Sequence, residues 1–425
     1  MIQELKITNF LSFKDETVFS FEASNDSFAE AQQVVRINEK TRLLRFAILY
    51  GYNASGKSNL LKAFMFLPTF WNKKHDDPDE STDVTPFKLD TDTPHQPSIF
   101  ELTFWVEGVK YVYKLAIDSH QVYEESLYNY TSSKKTMLFE RSLKDNQSII
   151  QFGPSLKVAK NTKNNISDFC LRNVSFFVAR KKVNTNIQEI DKAQEWLGKA
   201  FMPGINPGTI LTRYAQRNCV KEDTLIPYLL SFLREADFNI KNITTESVDD
   251  NLPEKLKEKL ISTLPIEMKD KLSFTHWRTL FDHEIHNERG TETYQLKIEE
   301  DDEEESQGTI RTFGLETAIY ELLHRHRQFL TIDEIETSLH PKLQERILYD
   351  FLKANSQSQM IVTTHNDGLM DLADDLFRKD SIWFTEKKPT GATDLFKLTD
   401  FKGVNRLPSI REAYRNKRFG ATLMK

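Results

Sequence analysis

The chain has 425 residues, enough for roughly two to three domains or one elaborated domain. Lys and Arg number 57 against 63 Asp and Glu, and the net charge of −6 excludes a globally basic nucleic-acid coat. Two cysteines, Cys170 and Cys219, exclude a disulfide scaffold and a Cys-rich zinc module. A hydrophobic content of 39% with 30 phenylalanines supplies a core. The longest nearly apolar runs, Leu43–Tyr50 and Ile226–Leu233, are too short to cross a bilayer. Met1–Lys6 has no signal-peptide pattern, so a cytoplasmic protein without a membrane partner is expected.

In chain order, Leu5–Phe10 alternates as a strand does, and Thr17–Glu22 is a second strand-like piece. After the polar stretch Ala23–Arg42, the run Leu43–Tyr50 reads as one buried strand bounded by Gly51. Asn59–Phe66 reads as a helix that Pro68 ends. Lys73–Pro97 reads as a surface loop rich in Asp and Pro. Ile99–Trp105 and Val109–Ile117 predict a hairpin around Glu107-Gly108. Phe100, Leu102, Phe104 and Val106 share one face of the first strand. Val109, Tyr111, Tyr113, Leu115 and Ile117 share one face of the second.

Residues 1–151 thus form a β-rich segment, and 152–272 a mainly helical insertion. Helical spacing occurs within the insertion at Asp191–Phe201, Leu225–Ala236 and Pro253–Leu264. Alternation returns in 273–425, first through Thr293–Ile298, before a run of seven acids, Glu299–Glu305. That run reads as a solvated, self-repelling loop.

The strongest motif is Gly51-Tyr52-Asn53-Ala54-Ser55-Gly56-Lys57-Ser58, a full Walker A pattern between a strand and a helix. Its glycines let backbone N–H groups close around phosphate oxygens at a helix N-terminus. Lys57 would reach the β- and γ-phosphates of ATP, and the Ser58 hydroxyl would ligate Mg²⁺. A second motif, Gln328–Glu334, is a short apolar strand ending in paired acids. Asp333 would hold Mg²⁺ through water, and Glu334 would polarise an attacking water. Alone this is ordinary, because buried strands often end in acids. Its sequel strengthens it: Ser338-Leu339-His340-Pro341, then the strand Met360–Thr363 and His365. The strand would bring the imidazole near the γ-phosphate. A fifth element, Glu305–Thr309, precedes the helix expected over Ile310–His324. By itself it reads as a helix cap, with Ser306 or Thr309 as the capping side chain.

In this order the motifs resemble those of an ABC-related ATPase of the RecF, SMC-like and overcoming-lysogenization-defect group. The likeness extends to the stand-alone bacterial ATPases of abortive infection and phage defence. It is carried by Leu5–Phe10, Gly51–Ser58, Glu305–Thr309, Ile332–Pro341, Thr364–Asn366, Trp383–Lys387 and the tail Ile410–Ala421. The resemblance implies an α/β fold: an ABC-type head with a mixed sheet, a β-rich N-terminal lobe and a mainly helical insertion. The head is assembled from residues 1–151 and 273–425. It makes Ser306, Gln307, Gly308 and Thr309 the signature motif, which closes the ATP of a second subunit. Here that motif departs from the usual Ser-Gly-Gly-Gln, and no Q-loop glutamine is assigned.

A homodimer or higher homo-oligomer is therefore expected, driven by ATP and Mg²⁺, with Glu334 and His365 as catalytic groups. The expected function is a switch controlling a separate effector protein in antiphage defence. The stretch after His365 is too short for a Toprim nuclease domain. A RecF-like repair ATPase that clamps DNA itself is the alternative, with nucleic acid as its partner. An ATP-binding transporter subunit is a third reading, opposed by the long spacing from Lys57 to Asp333 and by the divergent signature.

Three features invite other readings. In Asp282–Glu288, His283 and His286 are three apart in a strand-like region, which suits an exposed loop or strand edge better than a zinc site. The basic clusters Arg180–Lys182 and Arg411–Arg418 read as solvated faces, lacking the interleaved aromatics of a nucleic-acid surface.

Overall fold

The hairpin around Glu107-Gly108 forms with Ser98–Val106 antiparallel to Val109–Ile117, in the register Phe100↔Leu115, Leu102↔Tyr113 and Phe104↔Tyr111. Facing pairs put both apolar sets on the same side of the sheet, where all six of these side chains are buried. Ile2–Thr8 extends this sheet on one side, followed by Thr17–Ser20. Val122–Tyr130, Thr136–Lys144 and Gln147–Phe152 extend it on the other, to seven antiparallel strands.

The computed structural model describes residues 1–131, 134–236, 239–249, 256, 275–287, 290–299, 302–325 and 327–420. The helix expected at Pro253–Leu264 lies outside the described residues except for Leu256. The chain divides into two compact units: Met1–Pro207 with Arg325–Ile335 and Tyr349–Lys425, and Gly208–His324 with Glu336–Leu348. These boundaries differ from 151 and 272. Helices Lys160–Phe169, Phe176–Lys181 and Gln188–Ala200 belong to the first unit because their apolar faces join the core of the seven-stranded sheet.

The first unit also holds a five-stranded mixed sheet. Its spatial order is Phe329–Ile332, Gln359–Thr363, Phe46–Tyr50, Ile382–Lys387 and Thr393–Lys397. The first four strands are parallel and the last pairs antiparallel. Leu43–Tyr50 is not one strand. Arg45, buried to 1% exposure, turns inward and donates to the carbonyls of Gln32, Phe351 and Ala354. It separates Arg42–Leu44, which pairs with Val34–Arg36, from Phe46–Tyr50.

Helix Lys57–Asn72 also differs from expectation by running through Pro68. Proline removes one backbone hydrogen bond there, but burial of Leu67, Phe70 and Trp71 holds the extra turn. Asn72 Nδ2 donates to the Pro68 carbonyl at 2.8 Å. The helix lies between the two sheets: Phe64 meets Phe19 at 5.5 Å and Phe329 at 5.0 Å, and Phe66 meets Phe100 at 5.0 Å.

Behind the five-stranded sheet, Arg378 and Asp380 form a bidentate pair at 2.8 Å for both bonds, each residue about 1% exposed or less. Arg378 also donates to the carbonyls of Asp26 and Phe28, while Asp380 Oδ2 accepts from Ser24 N and Oγ. Burial pushes the Asp380 carboxyl up, but the bonds from Arg378 and Ser24 outweigh it and hold the group below its usual value. A depressed carboxyl contributes stability that is present above its unfolded value and lost as pH falls through its folded value. Asp380→Asn is therefore expected to cost about 3–5 kcal/mol near neutral pH by stranding Arg378. Urea melts of parent and variant should converge as the pH is lowered below about 4.

The second unit packs helices Thr212–Lys221, Leu225–Glu235 and Gln307–His324 against the sheet Ile240–Asp249, Thr275–Asn287, Gly290–Glu299 and Asp302–Glu303. Phe313 of the long helix meets Phe281 of the sheet edge-on at 5.4 Å. His283 lies in Thr275–Asn287, an interior strand paired on both sides rather than an edge. Within the acidic run Asp302, Glu303 and Glu304 are exposed, as expected, but its described ends are engaged. Glu299 binds Arg278, Asp302 pairs with Lys297 at 2.7 Å, and Glu305, 8% exposed, bonds His283. Among the described residues no helix is long and apolar enough to cross a membrane.

Candidate functional site

Three parallel neighbours of the five-stranded sheet end at the same edge, and each delivers one motif there. Phe46–Tyr50 leads into Gly51–Ser58, Phe329–Ile332 into Asp333 and Glu334, and Gln359–Thr363 towards His365. Ligands of open α/β sheets bind outside these carboxyl ends, because loops there are free to close on them.

Gly56 precedes the helix with φ +114°, a conformation L side chains rarely adopt. Gly51 is needed for closeness: a Cβ there would lie 2.5 Å from Ser55 Oγ and from Thr385 Oγ1. The loop is braced from the neighbouring strands by hydroxyls. Ser55 Oγ and Thr385 Oγ1 are 2.6 Å apart, and Thr393 Oγ1 lies 2.8 Å from Ser55 O and from Ser12 Oγ. Tyr52 OH bonds both the N–H and the carbonyl of Lys387.

Lys57, 5% exposed, donates to the carbonyls of Gly51 at 2.9 Å and Tyr52 at 3.3 Å. Its ammonium is 3.2 Å from His365 Nε2. His365 Nε2 in turn is 3.8 Å from Glu334 Oε1. Lys57, His365 and Glu334 therefore form one contiguous group, although 308 residues separate Lys57 from His365. Glu334 has φ +50°, a strained conformation for a non-glycine residue. Asp333 accepts from Thr363 Oγ1 at 2.5 Å, while its own N–H donates to Ile205 O at 2.7 Å.

The residues fit a magnesium nucleotide. Two glycines leave space that a side chain would fill, Lys57 supplies a cation, and Ser58 and Asp333 supply hard oxygen donors suited to Mg²⁺. Ser306–Thr309 belongs to the other compact unit. Helix Gln307–His324 starts three residues earlier than expected, with Ser306 Oγ accepting from Thr309 N at 3.1 Å. Ser306 is thus an N-cap. Gly308 sits on the Ser338 turn, where a Cβ would come 3.3 Å from the Ser338 carbonyl.

The basic clusters lie mostly at the surface, as expected, with Lys181, Lys182, Arg415, Lys417 and Arg418 exposed and only Arg180 buried. Arg180 is buried and binds Val183 O at 2.7 Å and Asp191 at 2.8 Å. Arg411 and Arg415 both bind Asp367. The bracing hydroxyls Ser12, Thr363, Thr385 and Thr393 were missed in the sequence, because threonine in a strand is ordinary composition and carries no spacing signal.

A family model described as "AAA domain, putative AbiEii toxin, Type IV TA system" matches residues 46–154 and 221–371, together more than half the chain. No curated protein matches. The SMC head domain from Thermotoga maritima is similar in structure at TM-score 0.42 and 15% identity, covering 93% of this chain and 98% of that one. An SMC head bound to the C-winged helix domain of ScpA scores 0.42 at 13% identity, covering 94% and 99%. The Pyrococcus furiosus SMC head with an extended coiled coil, bound to the C-terminal domain of ScpA, scores 0.40 at 10%, covering 98% of each chain.

Proposed function

The chain belongs to the AAA-domain family described as putative AbiEii toxin of a type IV toxin–antitoxin system, and from that premise we propose an ATP-hydrolysing dimeric switch that controls a separate effector in antiphage defence. The observation that carries the hydrolytic part is the group Lys57, His365 and Glu334 at one sheet edge. Lys57 binds the β- and γ-phosphates, Glu334 takes the proton of the attacking water, and His365 holds the γ-phosphate side of the pocket. Ser58 and Asp333 would hold Mg²⁺, which supplies charge neutralisation at the phosphates when bound. The family description, with its toxin–antitoxin context, supports the defence setting.

The dimeric part rests on the N-terminus of helix Gln307–His324, where Ser306, Gln307, Gly308 and Thr309 present a hydroxyl and backbone N–H groups. These would close the nucleotide of a second subunit. ATP between two faces makes dimerisation depend on the γ-phosphate, and hydrolysis releases it.

Gly308→Asp tests this. A carboxylate about 4 Å from phosphate in a partly desolvated interface is repelled by about 4 kcal/mol, enough to prevent closure. The variant is expected to bind ATP normally, lose hydrolysis, and regain part of it when mixed with Lys57→Ala. One site of the mixed dimer then pairs an intact Walker A with an intact signature. Gly308→Ala controls for crowding against the Ser338 carbonyl. An ATP-stabilised Gly308→Asp homodimer would leave Ser306–Thr309 as a helix cap only.

A further inference from the structure

One side chain connects the two Walker B acids, and it belongs to a different strand. Thr363, fully buried, ends the strand Gln359–Thr363 that lies between the strand of the acids and the strand of the phosphate loop. Its Oγ1 accepts from Glu334 N at 2.8 Å and donates to Asp333 Oδ1 at 2.5 Å. Its carbonyl accepts from Ile335 N at 3.0 Å. The N–H groups on both sides of the Glu334 Cα–C unit therefore end on Thr363 and nowhere else in the strand. Glu334 is the residue that holds φ +50°, a conformation costing on the order of 1 kcal/mol or more unless its surroundings enforce it.

We propose that Thr363 is a positioning residue for hydrolysis, holding the backbone of Glu334 in its left-handed turn and fixing the Asp333 carboxylate beside it. The inference rests on Glu334 being the general base. The direction of the hydroxyl follows from chemistry. A backbone N–H can only donate, so it takes a lone pair of Oγ1, and the single hydroxyl proton is left for the acceptor Asp333. Glu334 would turn away from His365, 3.8 Å away, if the turn relaxed to the ordinary right-handed region. The same strand continues into Thr364, whose N–H donates to Leu49 O at 3.1 Å, and then into His365. Acid pair and histidine are thereby held in one register by consecutive residues.

Thr363→Val keeps the shape and removes both hydroxyl bonds. Two measurements are made, the first without nucleotide. Backbone amide exchange at Glu334 is expected to accelerate by about tenfold, since a buried N–H has lost its acceptor. With Mg-ATP, turnover is expected to fall about 10- to 100-fold, while ATP affinity stays within about threefold. Thr363→Ser should recover most of both. In a Glu334→Gln background, Thr363→Val should lower turnover by a smaller factor than in the parent, because the part acting through Glu334 is already lost and only the part acting through Asp333 remains.

Parental turnover or unchanged Glu334 exchange in Thr363→Val overturns the proposal. So does a full multiplicative loss in the double variant, which would show that none of the effect passes through Glu334. A Glu334→Gln protein that hydrolyses ATP like the parent overturns the underlying assignment of the base instead, whatever the exchange result. Should Thr363→Val fail to fold, Thr363→Ala, which adds no bulk, carries the same comparisons.

Discussion

Lys57→Ala is expected to abolish nucleotide binding, with ATP affinity falling about 100-fold or more, equivalent to about 2.8 kcal/mol. The ammonium is buried and already satisfied by the Gly51 and Tyr52 carbonyls. It therefore stands inside the loop before any phosphate arrives, and binding need not recruit a mobile cation from solvent. Alanine removes that charge and takes the Lys57 bond from the Gly51 carbonyl, while the Tyr52 carbonyl keeps the Ser55 N–H at 3.2 Å. Isothermal titration with ATP, beside a melting curve to establish folding, checks the result. Equal affinity in parent and variant would remove the phosphate-loop assignment.

Glu334→Gln is expected to leave ATP binding intact and slow hydrolysis by about 100-fold or more, because an amide cannot take the proton of the attacking water. The substitution keeps the shape of the side chain, so the φ +50° backbone and its bonds to Thr363 are preserved. The ATP-bound form should then accumulate as a stable dimer, measurable by light scattering. Unchanged turnover would place the base elsewhere, and His365, 3.8 Å away, is the next group to remove.

Much of this site is legible in the sequence because its parts have obligatory chemistry. Gly56 must adopt φ +114°, Lys57 must supply a cation, and Asp333 and Glu334 must follow a short buried strand. Such requirements leave few alternative spellings, and the strands leading to Asp333 and His365 match their expected spans closely, while the phosphate-loop strand begins three residues later than expected. The supporting contacts are another matter. Thr363 acts through a hydroxyl that its sequence neighbours do not distinguish from the methyl of a valine, and only register against Asp333 gives it a task. Arg45 is equally silent: a cation in an apolar run suggests an exposed position, whereas here three distant carbonyls make burial favourable. The ends of the acidic run mislead for the same reason. Arg278 and His283, which bind Glu299 and Glu305, lie on the strand Thr275–Asn287, beyond the reach of any local pattern.

The order of strands in the central sheet bears on how the protein is made. Phe46–Tyr50 is flanked by Gln359–Thr363 and Ile382–Lys387, so the phosphate-loop strand has no partner in its own half of the chain. On the ribosome this apolar strand emerges early and waits while more than three hundred residues are synthesised, since Thr363 pairs with Leu49. At about 5–20 residues per second that wait lasts on the order of tens of seconds. The antiparallel sheet built from neighbouring hairpins can collapse in the meantime, but the pocket cannot. A nascent chain therefore lacks the assembled group of Lys57, His365 and Glu334, which forms only once the strands through Gln359–Thr363 have been made.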